Sequence, residues 1–439
     1  MKRKSMLFGA VASIALASAA LAAGYWTNGV PVAGQSPYTN SLPLTGNETI
    51  PADTNLAAGA MPQSIAVKTS QLADYMGGLP SRGNALIGGN GDTNLWTYGT
   101  AGTSTTSATV AWDSANRWGQ WATSSAGVKI AKDTTAADLP SGYGAAIALT
   151  HTATTAGQIC MGQAVETSNS YQFDGQTAEF DFHAATGSGY TGGATLTAYI
   201  TYGTGTDEGL NKMAYTVNGG GATGWTGGVN AAAAVVPLSA VSSSGRFAAI
   251  ASIPSTATEI GVALCYTTTT ADTSDYVAFD GLQLVRNPTL SSYASSTAAV
   301  SSSTVTLTSF ERRTQAQETA LQQRYAYSIK DDSGATYVYG MGQCKDTTSD
   351  CVFIVPFPVT MRTKPTGTAS ASTAFGYTAT AGTANDCTSS DFTVVSSAAT
   401  TNAGEVECSA GSVNIAGGAS RLVGKATPSN ATVIWSAEL

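Results

Sequence analysis

Charge is scarce in this sequence: only 11% of its 439 residues are Asp, Glu, Lys or Arg, and the formal net charge is -8. No basic stripe is available to neutralise a phosphate backbone, so nucleic-acid binding is disfavoured. Histidine is scarcer still, with His151 and His183 the only two. No Cys-x-x-Cys occurs, and two histidines do not complete a Cys/His zinc site at the usual spacing. A Ser-His-Asp triad would need one of those histidines, and neither lies in a nucleophile-elbow sequence. Beyond the N-terminus no run is apolar enough to cross a bilayer core of roughly 30 Å. These absences favour a protein that is not an enzyme.

What is present points to strands. The 48 glycines and the long tracts of Ser, Thr and Ala favour strands and turns over helices. Residues 1–23 read as an export signal: Lys2, Arg3 and Lys4 precede the apolar stretch Met6–Leu21, and Ala20-Leu21-Ala22 is a small-residue cleavage pattern. Residues 24–83 are rich in Gly, Pro, Asn and Thr and read as an extended, irregular arm, with one short helix at Gln71–Met76 closed by Gly77-Gly78. From 84 to 287 apolar and polar residues alternate, as in Ala178–Phe182 and Ala194–Ile200, with Gly-rich turns between. Many short strands over such a length argue a jelly-roll-like β-sandwich. A Ser/Thr/Ala linker spans 288–309, and 310–439 combine a helix, Phe310–Tyr325, with a smaller C-terminal β-domain. The fold class expected is all-β.

Six cysteines are an even number, and disulfides are a better reading than metal. Cys344 and Cys351 flank a polar loop between strand-like segments. Cys387 and Cys408 bracket another hairpin-sized stretch, and Cys160 with Cys265 would then bridge the larger sandwich. Six cysteines allow 15 connectivities, so other pairings stay open.

Four collinear segments carry a resemblance. They are Leu44–Thr54 with Gln63–Leu72; Asn84–Gly89 with Thr93–Trp96 and Asn116-Arg117-Trp118; Gly162–Glu166 through Tyr190–Gly193 to Ile260–Ala263 and the strand Tyr276–Val285; and Phe310–Arg313, Glu318–Tyr325 and Val355–Arg362. Together they cover most of the chain and resemble the tail-fibre-like structural proteins of tailed phages and prophages, which hold a sandwich similar to carbohydrate-binding modules. The resemblance implies a virion fibre or decoration protein whose arm attaches to other virion proteins. It also implies binding to a bacterial surface polysaccharide and assembly as a homotrimer. The export signal leaves a secreted bacterial adhesin open, and a polysaccharide hydrolase or esterase is the third reading.

Sugar rings stack on flat aromatic faces, for which Trp96, Tyr98, Trp112, Trp118, Trp121 and Trp225 are candidates. Trp96 and Trp118 lie in the recurring motif segments and are expected in the core. Trp121, Trp225 and Tyr190 sit in Gly/Ser/Thr-rich sequence and are expected as exposed glycan platforms. Glu179, Asp181 and His183 share one strand face, read as solvated. Sandwiches of the resembled type often carry a structural calcium, for which Asp280 is the candidate ligand and Asp92 its partner.

Overall fold

The computed structural model describes the backbone of residues 49–53 and 64–68, then residues 83–438 apart from 140–141, 189, 220–222, 239–244, 270–274, 296, 331–337, 345–349, 370–374, 381–382, 388–391, 410–418 and 425–431. The export signal and the helix expected at Gln71–Met76 lie outside these residues. The chain divides into two units, 1–81 and 82–439. In the first, β1 (Thr49–Asp53) and β2 (Ser64–Lys68) pair as an antiparallel hairpin. The arm expected to be irregular therefore contains regular structure.

The second unit opens with a sandwich. Its strands are β3 (Gly119–Ala122), β4 (Val128–Asp133), β5 (Ala146–His151), β6 (Gln158–Val165), β7 (Thr177–Thr186) and β8 (Thr195–Gly203), followed by β9 (Val229–Pro237), β10 (Gly245–Ser252), β11 (Glu259–Thr267), β12 (Tyr276–Arg286) and the short β13 (Val300–Ser301). A six-stranded sheet, β13-β10-β7-β12-β5-β4, packs against a five-stranded one, β3-β6-β11-β8-β9. Alternation decides which residues enter the core: Ala178, Phe180, Phe182 and Ala184 of β7 point inward. On β12 the inward set changes parity, from Val277 and Phe279 to Leu282 and Leu284. A β-bulge between Asp280 and Gln283, with Gly281 at φ 59°, inserts the extra residue that makes this switch.

Residues 288–309 do not hang free as a linker. Leu290, Val305 and Leu307 pack on Ala248 and Ile250 over the outer face of the six-stranded sheet. This strap also covers the outward face of β7, so Glu179 and Asp181 are buried rather than solvated. Thr308 donates its hydroxyl to Glu179 at 2.6 Å, while Arg246 and Gln283 donate to Asp181 at 2.6 and 2.8 Å.

The helix is shorter than expected, Gln315–Gln323, because Thr314 and Gln317 form a reciprocal capping box. Residues 310–313 instead run along the sandwich, where the Glu311 backbone N–H donates to Gln283 Oε1 at 3.0 Å and Arg313 donates to the Leu86 carbonyl at 2.9 Å. Gln322 is fully buried; its side chain accepts from Leu95 N–H at 2.8 Å and donates to the Thr93 carbonyl at 3.1 Å.

The distal module consists of β14 (Ala326–Lys330), β15 (Val338–Cys344), β16 (Asp350–Pro356), β17 (Thr366–Ala369), β18 (Phe375–Thr380), β19 (Thr383–Asp386), β20 (Phe392–Val394), β21 (Ala403–Ser409), β22 (Ala419–Gly424) and β23 (Thr432–Ser436). Sheet β14-β23-β17 and the seven-stranded sheet β19-β18-β22-β15-β16-β21-β20 enclose a core around Phe353, Tyr377 and Trp435.

Three disulfides join Cys160–Cys265, Cys344–Cys351 and Cys387–Cys408. Cys160 and Cys265 are direct cross-strand partners on β6 and β11, so their bridge lies within one sheet and does not span the sandwich.

Candidate functional site

The two tryptophans expected as platforms are buried. Trp121 is 0% exposed and Trp225 3% exposed, in a cluster with Leu210, Met213, Cys160 and Cys265 on the outer face of the five-stranded sheet. The reason lies in their neighbours. Gly162, Ala164, Gly261 and Ala263 make that face of β6 and β11 shallow, and a Cβ on Gly261 would lie 2.3 Å from Met213 Sδ. The helix Leu210–Val217 seats on this depression, with Leu210, Met213, Ala214 and Val217 buried. The Trp225 indole N–H donates to the Glu208 carbonyl at 2.8 Å, which fixes the ring under its loop. Trp96 and Trp118 are core residues as expected, at 7% and 0% exposed. Tyr98 is turned toward the distal module, donating to Ser436 Oγ at 2.9 Å, and Trp112 packs beside the Trp121 cluster.

Tyr190 is the candidate that reaches a cavity. It is half-buried at one end of the sandwich, in the Gly-rich segment between β7 and β8. Its ring meets Tyr266 edge to face at 6.0 Å, and its hydroxyl donates to the Gly193 carbonyl at 3.0 Å. Burial, with Asp275 nearby, raises the phenol pKa and keeps that donor protonated. Beside it lies an open groove of about 580 Å³, lined by Asp138, Thr186, Ser188, Tyr190, Ala194 and Leu238 with glycines between them. Such a volume falls within the range of ligand clefts.

The walls of the groove are held by hydrogen bonds. Asp275 accepts the Thr191 backbone N–H at 3.1 Å and the Thr191 hydroxyl at 3.1 Å, which ties down the Tyr190 segment. Asp138 accepts the Tyr276 hydroxyl, and the Tyr276 carbonyl accepts the Gly187 N–H at 3.0 Å. The Gly-rich context and its single aromatic were legible as a loop signal at Tyr190. Asp138, Asp275 and Ser188 carry no such signal, since only the fold brings them to the same end.

Asp280 sits at the bulge of β12 and is fully buried. Its Oδ1 accepts N–H groups of Gly281 at 2.6 Å and Gly91 at 3.3 Å, and its Oδ2 has no partner. Burial pushes its carboxyl up to about 8, and the Asp92 charge adds to the rise. Asp92 itself is occupied by the Gly144 N–H at 2.9 Å. Among the described residues no three acidic, histidine or cysteine side chains converge here. Calcium takes six to eight oxygens, usually with several carboxylates. Burial outweighs the two N–H donors and holds a proton on this carboxyl, and one orphan oxygen does not supply a calcium ligand set.

The histidine-based alternatives are similarly constrained. His183 stacks obliquely on Tyr143 at 5.8 Å, and burial and Arg246 lower its pKa to about 4.

No family model matches the chain. No curated protein matches it either. Among solved structures it is similar to the carbohydrate-binding module TmCBM61, determined with β-1,4-galactotriose, at 12% identity and a TM-score of 0.26 over 46% of this chain and 99% of that one. It is also similar to the C-terminal family 22 carbohydrate binding module of Clostridium thermocellum Xyn10B, at 14% identity and a TM-score of 0.25 over 39% of this chain and 86% of that one. Neither likeness assigns a site residue.

Proposed function

We propose that this chain is a binding protein that holds a neutral glycan in the groove beside Tyr190 without cleaving it. The observation that carries this reading is the chemistry of the groove: one half-buried tyrosine, hydroxyls, the half-buried glycines Gly192 and Gly193, and the Asp138 carboxylate. Sugars are bound by an aromatic or apolar wall with polar groups placed to meet hydroxyls. Among the described residues no Lys or Arg lines the groove. An anionic polysaccharide would lack a counter-charge here and would face Asp138, so the glycan is uncharged. Asp138 in the lining and Asp275 behind Thr191 already accept hydrogen bonds from Tyr276 and Thr191, which suits them to shaping the walls.

The setting we propose is a phage fibre or decoration protein, on the strength of the four collinear sequence segments. The three disulfides favour a second setting, an exported adhesin, because such bridges persist in oxidising compartments. Mass spectrometry of purified particles from the native source separates the two.

The test of binding is calorimetric titration with polysaccharide from the host surface, followed by size analysis of the glycan. Tyr190→Ala is expected to weaken binding by roughly 1–3 kcal/mol, the range for loss of an aromatic anchor. Neutral polymers should bind and polyuronates should not. Shortening of the glycan over time, or binding indifferent to Tyr190, overturns the proposal.

A further inference from the structure

The seven-stranded sheet of the distal module has one face in its own core and one face outside. Along β15 and β16 the inward residues are Cys344, Cys351, Phe353 and Val355. A sheet with one solvated face ordinarily places polar residues on that side. Here the outward pair at its centre is apolar: Met341 is 66% exposed and Ile354 47% exposed, and the two are direct cross-strand partners, with Gln343 and Val352 the next outward pair. The bulge between Val338 and Gly340 adds Val338, 49% exposed and paired with Val423. The strands on either side carry the charges. Arg421 of β22 pairs in register with Met341, and Glu405 of β21 pairs with Ile354. One row across four strands therefore reads Arg421, Met341, Ile354, Glu405, with its charged ends about 14 Å apart at the usual strand spacing.

We infer that this face takes a second copy of the same chain across a two-fold axis lying in the interface and parallel to the strands. Such an axis reverses the row. Arg421 of each copy then lies over Glu405 of the other, and Met341 over Ile354, so one apolar centre is flanked by two equivalent ion pairs. A row with like charges at both ends would give no such match, and a face-to-face packing of aligned sheets is a common geometry. A two-fold interface requires this kind of self-complementary patch. It differs from the threefold assembly implied by the fibre resemblance, and the two are distinguished by mass.

Sedimentation of the full chain over a range of roughly 1 to 100 µM tests this. The expected result is a reversible monomer–dimer equilibrium that weakens with salt, as exposed ion pairs do. Met341→Lys should abolish the dimer while leaving the melting temperature of the monomer unchanged, since the side chain is exposed. Arg421→Glu and Glu405→Arg should each weaken association at least tenfold. The double variant should restore it, and so should an equimolar mixture of the two single variants. A monomer at every concentration, a trimer indifferent to Met341→Lys, or single variants not rescued by the charge swap would each overturn the inference.

Discussion

At Asp280 the fold keeps a carboxyl in a place where its charge is costly. A carboxylate whose folded pKa stands above its unfolded value near 3.9 contributes stability that is complete below that value and is lost as pH rises through the folded pKa. For Asp280 that window runs from about pH 4 to about 8. Glu259 behaves the same way up to about 7, raised by burial and by the Glu208 and Asp207 charges around it. His183 acts in the opposite sense, since its folded pKa near 4 lies below the usual histidine value and stability is lost as pH falls through that interval. With two carboxyls set against one histidine, these groups are expected to raise the melting temperature as pH falls from about 8 toward about 4. Asp280→Asn keeps an acceptor for Gly281 and Gly91 and should flatten this dependence between about pH 4 and 8. Adding millimolar calcium or a chelator should leave the wild-type melt in place; a calcium-dependent rise absent from Asp280→Asn would give the orphan oxygen to a metal instead.

Tryptophan shows how far single residues were readable. The motif segments point Trp96 and Trp118 to the core, and they lie there. Trp121 and Trp225 stand in sequence as polar and Gly-rich as any loop, and their burial depends on small residues some 40 positions away, at Gly162 and Gly261, that no local window connects to them. Truncation of either ring is accordingly expected to cost about 3–5 kcal/mol of stability. Chemical denaturation of Trp121→Ala checks this, and the folded fraction should bind glycan with unchanged affinity.

At the level of elements, strand alternation was the readable signal, because a half-buried strand writes its two faces directly into every second residue. The strap over the six-stranded sheet was not readable. Leu290, Val305 and Leu307 are three apolar residues diluted among Ser, Thr and Ala, and their composition is that of a linker although their packing is that of a core. The disulfides give elements different leverage. The bridge between β6 and β11 closes a separation of 105 residues, and that between β15 and β16 closes only 7. By the chain-entropy estimate the first is worth about 4.7 kcal/mol and the second roughly 2. Replacing Cys160 and Cys265 together by Ala should lower the denaturation midpoint more than replacing Cys344 and Cys351. An equal or reversed ranking would mean that native packing around the bridges, and not the unfolded chain, sets their contribution.

For the whole of the second unit, the question is whether sandwich and distal module unfold together. Sequence boundaries suggested two domains joined by a helix, but the charges that join them lie far apart in the chain. Arg117 of the sandwich, 1% exposed, donates to Glu438 at 2.6 Å, and its guanidinium lies 3.8 Å from the centre of the Tyr325 ring. Its other nitrogen donates to the Ala164 carbonyl at 2.6 Å. Arg324 donates to both oxygens of Glu166 at 3.0 Å, and Arg362 approaches Glu166 at 3.8 Å and Asp207 at 3.7 Å. Exposed ion pairs of this kind contribute little, and Arg324 is 43% exposed. The Arg117–Glu438 pair is different, with side chains 2% and 3% exposed. Removing one partner of a buried pair leaves the other charge stranded, at a cost of about 3–5 kcal/mol. That cost falls on the contact between the modules, because Arg117 joins the sandwich to Tyr325 and Glu438. Calorimetry of the intact chain is expected to give one transition for the second unit. Arg117→Ala should split it into two, with the distal module melting first because its smaller core loses the support of Arg117 on Tyr325 and Glu438. Arg117→Lys keeps a charge but not the planar stack on Tyr325, and should fall between the two; a single unsplit transition in Arg117→Ala would show that the modules are coupled through the helix and Gln322 rather than through this pair.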